Sequence, residues 1–141
     1  MAFLMALVLV ILLASDKGST SLFVDFYKES CSVVEEIVKH NVDVALLKDP
    51  RMAASLLHLH FHDCFVKGCD SSILLDTHRH VVSEKQAGPN LNTVRGFDVI
   101  EKIKVIIEEA CQQTVSCIDI LALASHYAVE LVVIQLENQG A

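Results

Sequence analysis

Hydrophobic and polar positions divide the 141-residue chain into a wholly apolar opening, four stretches with helical spacing and one long stretch without a period. Val34, Ile37, Val38, Val42, Ala45 and Leu46 recur at three- and four-residue steps and predict a first helix. Ser32-Val33-Val34-Glu35 ahead of it reads as a capping box, the serine accepting from the N3 amide and the glutamate reaching back. Asp49-Pro50 ends that helix, because a proline disfavours the helical conformation of the residue before it. A second helix is expected from Arg51 through Met52, Ala53, Ala54, Leu56, Leu57 and Leu59 to about Cys64. Residues 66–96, with Gly68, Ser71, Ser72, Gly88, Pro89 and Gly96, carry no sustained period and predict a long ordered loop. Loops of that length are usually functional or stapled. A third helix is expected over Phe97 to Cys111, with Phe97, Ile100, Ile103, Lys104 and Ile107 as its stripe. Ser116-Cys117-Ile118-Asp119 is a second, weaker capping box, opening a fourth helix through Ile120, Leu121, Leu123, Ala124 and Ala128. Beyond Val129 the composition turns strand-like. The predicted class is all-α, without internal repeats.

The opening Met1 to Ala14 is fourteen apolar residues long, short of the roughly 18 to 20 that cross a bilayer and suited to a signal-peptide core. Small residues follow, so cleavage is expected between Ser15 and Ser21, with residues 1–20 as the signal. Removing them takes away Asp16 and Lys17 and leaves the net charge at −7. An acidic chain without a basic run argues against nucleic acid or an anionic membrane as partner. The five cysteines all lie beyond the signal, and in an oxidising compartment most should pair. Five is odd, so at least one lacks a partner within the chain.

Chemistry concentrates between His58 and Asp70, which hold three of the seven histidines, two cysteines and two acids among apolar residues. On a helix, His58 and His62 share a face at i and i+4, and His60 points elsewhere. Such a pair can serve as metal ligands, as an acid/base pocket, or simply as a polar stripe. Cys64 and Cys69 around Gly68 read as a local disulfide more than a zinc knuckle. Asp63, Asp70 and Ser72 put hard oxygen ligands beside that loop, a set that either holds calcium or forms a solvated acidic turn.

The order and spacing of several segments resemble the secretory plant haem peroxidases (class III). They are Phe26-Tyr27…Cys31, Arg51-Met-Ala-Ala-Ser-Leu-Leu, Phe61-His-Asp-Cys-Phe-Val-Lys-Gly-Cys-Asp70, Ser72-Ile-Leu-Leu-Asp76, Glu84-Lys…Gly88-Pro89-Asn90, Arg95-Gly-Phe-Asp-Val-Ile and Val115-Ser-Cys-Ile-Asp-Ile-Leu121. The resemblance covers Phe26 to Val129 and implies the distal lobe of the two-lobed, all-α peroxidase fold, over residues 21–129. It implies reduction of hydrogen peroxide with small phenolic donors, as a donor:hydrogen-peroxide oxidoreductase in the oxidative-stress response and in peroxide catabolism. The implied cofactors are haem b and calcium. His62 takes the place of the distal acid/base, supported by Phe61, Glu84 and Asn90, with Pro89 at the substrate-binding edge. Asp63, Val66, Gly68, Asp70 and Ser72 take the places of the calcium ligands. The family pairs the equivalents of Cys31 with Cys111 and of Cys64 with Cys69, which leaves Cys117 unpaired here. A secreted monomer, in the cell wall or vacuole, is what the resemblance implies.

The pattern breaks in three places. His58 stands where the family has an arginine, and a histidine is shorter and offers fewer donors than a guanidinium. No equivalent of the family's proximal histidine follows, His126 lying in the expected fourth helix. Residues 130–141 do not follow the family pattern, and His126-Tyr127 replaces its usual Arg-Asp. The expectation is a truncated peroxidase with little or no turnover. Two other readings are a non-catalytic calcium-binding helical module and a zinc- or copper-binding protein using His58, His60 and His62, with or without His78 and His80.

Overall fold

Asp49 adopts an extended conformation before Pro50, and the predicted break between the first two helices falls there. The computed structural model describes residues 25–65 and 68–140; the expected signal over 1–20 and the expected calcium ligand Val66 lie outside the described residues. Among the described residues four α-helices follow in order: α1 (Val34–Lys48), α2 (Met52–Cys64), α3 (Phe97–Ala110) and α4 (Cys117–Gln139). Two single-turn 3-10 helices, Ser72–Leu74 and Glu84–Gln86, lie in the long loop between α2 and α3. Among the described residues there is no strand, only an isolated bridge between His78 and Val81.

The stripes meet in one core. α4 packs on α1 and α2, and α3 packs across α1. Val38 and Val42 from α1, Leu56 and Leu59 from α2, Ile103 and Ile107 from α3, and Ile120, Leu121 and Ala124 from α4 are fully buried there. Each buried Val, Leu or Ile stabilises by about 1.5–3 kcal/mol over its exposed state. Lys104 sits in the α3 stripe because its stem lies along the apolar surface while its Nζ donates to the Val115 carbonyl at 2.8 Å. Gly96, at φ 98°, begins α3 where a side chain could not: a Cβ there would stand 3.1 Å from Leu56 Cδ2.

Disulfide Cys31–Cys111 ties the start of α1 to the end of α3 across a sequence separation of 80. In the chain-entropy model a loop of that length is worth roughly 4 to 5 kcal/mol. At the α1–α2 corner, Arg95 donates to Asp49 at 2.7 Å. That bond, with further donors from Arg51, holds the Asp49 carboxyl down to about 2.

Two expectations need correction. The Ser32 capping box does not form: α1 is entered through Val33 with no side-chain cap. The Val34 amide instead bonds the Cys31 carbonyl at 3.1 Å, and Glu35 accepts from the Tyr127 hydroxyl at 3.0 Å. A partner 92 residues away has taken the side chain that the local motif needed. The Ser116 box does cap α4, with its hydroxyl accepting from the Asp119 amide at 3.2 Å. The strand-like stretch after Val129 is also helical, through Gln139. Extending an existing helix adds a hydrogen bond per residue without a new nucleus. Leu131 and Val132 pack against the core, and Glu130 pairs with Lys39 of α1 at 2.6 Å. By length and composition α4 meets the criterion for a membrane span, but its first half is core.

Candidate active-site cleft

The last two turns of α2 form one wall of an open cleft of about 600 Å³. Phe61, His62 and Asp63 line it from the helix, Gly68, Asp70 and Ser72 from the disulfide-closed loop, and Glu84, Pro89 and Asn90 from the opposite turn. Nine of the residues singled out in the sequence are thus gathered around one space. Phe65 and Ala87 complete the lining.

The i, i+4 spacing on α2 brings the His58 and His62 rings into perpendicular contact, centroids 4.3 Å apart. His62 is fixed from across the cleft. Its Nδ1 lies 2.6 Å from Asn90 Oδ1, while Asn90 Nδ2 donates to the Glu84 carbonyl at 2.8 Å. With the amide nitrogen so committed, Asn90 presents its oxygen to the ring, and an amide oxygen only accepts. Nδ1 therefore carries a proton, and in the neutral ring the free lone pair is on Nε2. Asn90 is itself held by a turn in which its N–H bonds the Ala87 carbonyl at 2.9 Å. Glu84 extends the link to the acidic loop, its carboxylate accepting from Ser72 Oγ at 3.0 Å.

That loop turns tightly on itself. Cys64 and Cys69 are bridged, with Cα atoms 4.1 Å apart, and Gly68 takes φ 94°. Asp70 Oδ1 accepts from the Ser72 amide at 2.9 Å, and the intervening Ser71 is left-handed at φ 63°. Asp63 is only 5% exposed. Its Oδ2 accepts from the Ser71 amide at 3.1 Å, whereas Oδ1 and the buried Ser71 hydroxyl have no hydrogen-bond partner. A buried oxygen left without a donor costs about 1–3 kcal/mol, more when charged, so Asp63 Oδ1 sits where a donor or a cation would lower its energy. Ser71 was not foreseen. Its only hint in the sequence was its position between two expected ligands.

The wider histidine cluster does not assemble. His60 turns toward the Cys64 sulfur, 3.8 Å away, and His78 and His80 are exposed in a separate turn. Among the described residues, no three His, Cys, Asp or Glu side chains converge to hold a metal ion. The reading of a zinc or copper cluster built on His58, His60 and His62, with or without His78 and His80, is therefore corrected: three of them do not converge. His126 does not line the cleft; its ring lies 3.7 Å from Glu130 on α4. Cys117, the one free cysteine among the described residues, is half-buried.

Fold and site together define an all-helical, disulfide-bonded protein with an imidazole-bearing cleft beside an acidic loop. The chain belongs to the peroxidase family, in its class III plant branch: the family model described as Peroxidase matches residues 34–139. That match runs ten residues past Val129. The chain is 70% identical to Peroxidase 20 of Arabidopsis thaliana over 106 residues, covering 75% of this chain and 32% of that protein. It is 60% identical to Peroxidase 9 of the same plant over 106 residues, 75% of this chain and 31% of that protein. Against Peroxidase 15 of Ipomoea batatas it is 50% identical over 129 residues, 91% of this chain and 39% of that protein. The chain spans about a third of the length of the curated relatives it matches.

Proposed function

We propose that this chain supplies the distal half of a haem peroxidase site, with His62 as the residue that handles the peroxide protons. The observation that carries the reading is the Asn90–His62 hydrogen bond of 2.6 Å, which assigns a proton to Nδ1 and so makes Nε2 the acceptor of the neutral ring. A neutral imidazole in that tautomer takes a proton from hydrogen peroxide and returns it to the departing oxygen. Asn90 keeps the ring in the productive tautomer, and Glu84 keeps Asn90 in place through its carbonyl.

The cleft fits the distal side of a haem. Phe61 and Phe65 stack with centroids 4.6 Å apart and are both exposed, an apolar surface beside the His62 ring. Haem, when bound, supplies the redox chemistry that reduces peroxide and oxidises a donor. Phe61 would lie against it, and Pro89 at the open rim would meet small phenolic donors. His58 fits less well than the family's arginine, because it brings no fixed positive charge. Losing one preorganised donor or charge of this kind typically lowers the rate by about 10²–10³.

The acidic loop fits calcium. Asp63 Oδ1, Asp70 and Ser72 Oγ would hold it, with carbonyl oxygens from Val66 and Gly68, and the orphan Asp63 oxygen is the supporting observation. Ser72 also bonds Glu84, so an ion there would stiffen the turn that carries Asn90. The two disulfides, stable in an oxidising compartment, support secretion to the cell wall or vacuole.

The test is a chimera in which residues 34–129 replace the matching stretch of Peroxidase 20. It should bind haem and oxidise guaiacol, slowly, with His58→Arg raising the rate and His62→Leu abolishing it. A haem-bound chimera whose rate is indifferent to His62→Leu would sink the assignment.

A further inference from the structure

The His58–His62 pair carries a use that haem and peroxide do not require. Both rings are half-buried on one face of α2, in contact, and one helical turn apart. His62 donates Nδ1–H to an amide oxygen, which makes Nε2 the ligating nitrogen of the neutral ring. A metal-bound histidine shows the same outer arrangement, in which the far ring nitrogen donates to a fixed oxygen and sets tautomer and ring orientation. Among the described residues no hydrogen bond or ion pair engages His58, so either of its nitrogens is available. The family's arginine at this position has no lone pair to offer. Substituting histidine there turns a single imidazole into two adjacent nitrogen donors.

We propose that His58 and His62 form a two-histidine chelate for a borderline divalent transition-metal ion, copper(II) most tightly and zinc(II) less so. Imidazole nitrogen suits both ions, and copper(II) stands above zinc(II) in the order of affinities for such donors. The rings lie 4.3 Å apart, so rotation of the unbonded His58 alone would bring one of its nitrogens beside the Nε2 of a His62 still held by Asn90, with water completing the coordination from the open cleft. The chain's net charge of −7 favours a cation. Metal and peroxide chemistry exclude each other here, since both use the His62 Nε2 lone pair. The chelate stands apart from the peroxidase reading and needs no haem.

Copper(II) is titrated calorimetrically into the full oxidised chain, stripped with chelator and then saturated with calcium, at neutral pH. The expected result is a single tight ion, weakened roughly tenfold or more by His58→Gln and by His62→Gln. His60→Gln and a His78→Gln/His80→Gln double variant should bind as the parent does. Absence of tight copper, parental affinity in His58→Gln, or loss of binding in the His78/His80 variant overturns the proposal. Should the α2 variants fail to fold, NMR on the parent decides. Substoichiometric copper should broaden the ring protons of His58 and His62 before those of any other histidine, and a different first site overturns the chelate.

Discussion

Replacing Asp63 by asparagine should reverse the order of stabilities between chelator and calcium. Asp63 is 5% exposed, with one carboxylate oxygen bonded to the Ser71 amide and the other without a partner. In chelator the parent bears that orphan oxygen, a penalty of about 1–3 kcal/mol that grows with charge. Asparagine keeps the shape and the Ser71 bond but removes the charge, so the variant should match the parent or exceed it by up to that amount. In calcium the parent gains RT ln(1 + [Ca]/Kd), about 2.7 kcal/mol at a hundred times Kd. The variant, short of a charged ligand, gains much less. Urea unfolding followed by far-UV circular dichroism, with disulfides intact, in EGTA and in calcium, measures all four values. A parent that is more stable than Asp63→Asn by the same margin in both conditions refutes the reasoning. Asp63 would then be only an acceptor for Ser71.

Three further outcomes follow from the same geometry. Removing the long disulfide with Cys31→Ser and Cys111→Ser should cost roughly 4 to 5 kcal/mol; a loss below about 1 kcal/mol in the same melts means that the unfolded chain is already compact there. Ser116→Ala should destabilise by about 1 kcal/mol, while Ser32→Ala, whose predicted cap does not form, should be nearly neutral. Burial and the bond to Glu35 push the Tyr127 hydroxyl up to about 12, and burial with Asp119 raises Tyr27 as well. The folded state thus keeps protons that the unfolded state loses from pH about 10 upward, so stability should fall between about pH 10 and 12. Phenolate absorbance should then appear only with unfolding, and Tyr127→Phe should flatten part of that alkaline loss; a normal phenolate titration of the folded chain contradicts this.

Helices with a strong apolar stripe were legible in the sequence nearly to the residue. α2 and α3 begin and end within a residue of their expected bounds because burial of the stripe, a break at Asp49-Pro50 and the Gly96 entry all agree. Local motifs succeeded only where no distant partner competed. Ser116 caps α4, yet the same grammar at Ser32 failed because Tyr127 holds Glu35. Residues Val132, Val133 and Ile134 read as strand by composition, but strand preference depends strongly on context and a helix was already running through Val129. At the site, the His58–His62 pair followed from helical spacing alone. Asn90 opposite His62 did not, since no periodicity joins residues 28 apart; only the family resemblance pointed to it. The orphan oxygen of Asp63 was illegible, because sequence names a carboxylate but not its burial.

The account depends on the proton of one imidazole. Nitrogen-15 NMR of the folded, calcium-loaded, metal-free chain at slightly alkaline pH distinguishes the two neutral tautomers of His62. The prediction is a protonated Nδ1 and a bare Nε2, lost in Asn90→Ala. A His62 with its proton on Nε2, or one whose tautomer ignores Asn90, would contradict the peroxide-handling role.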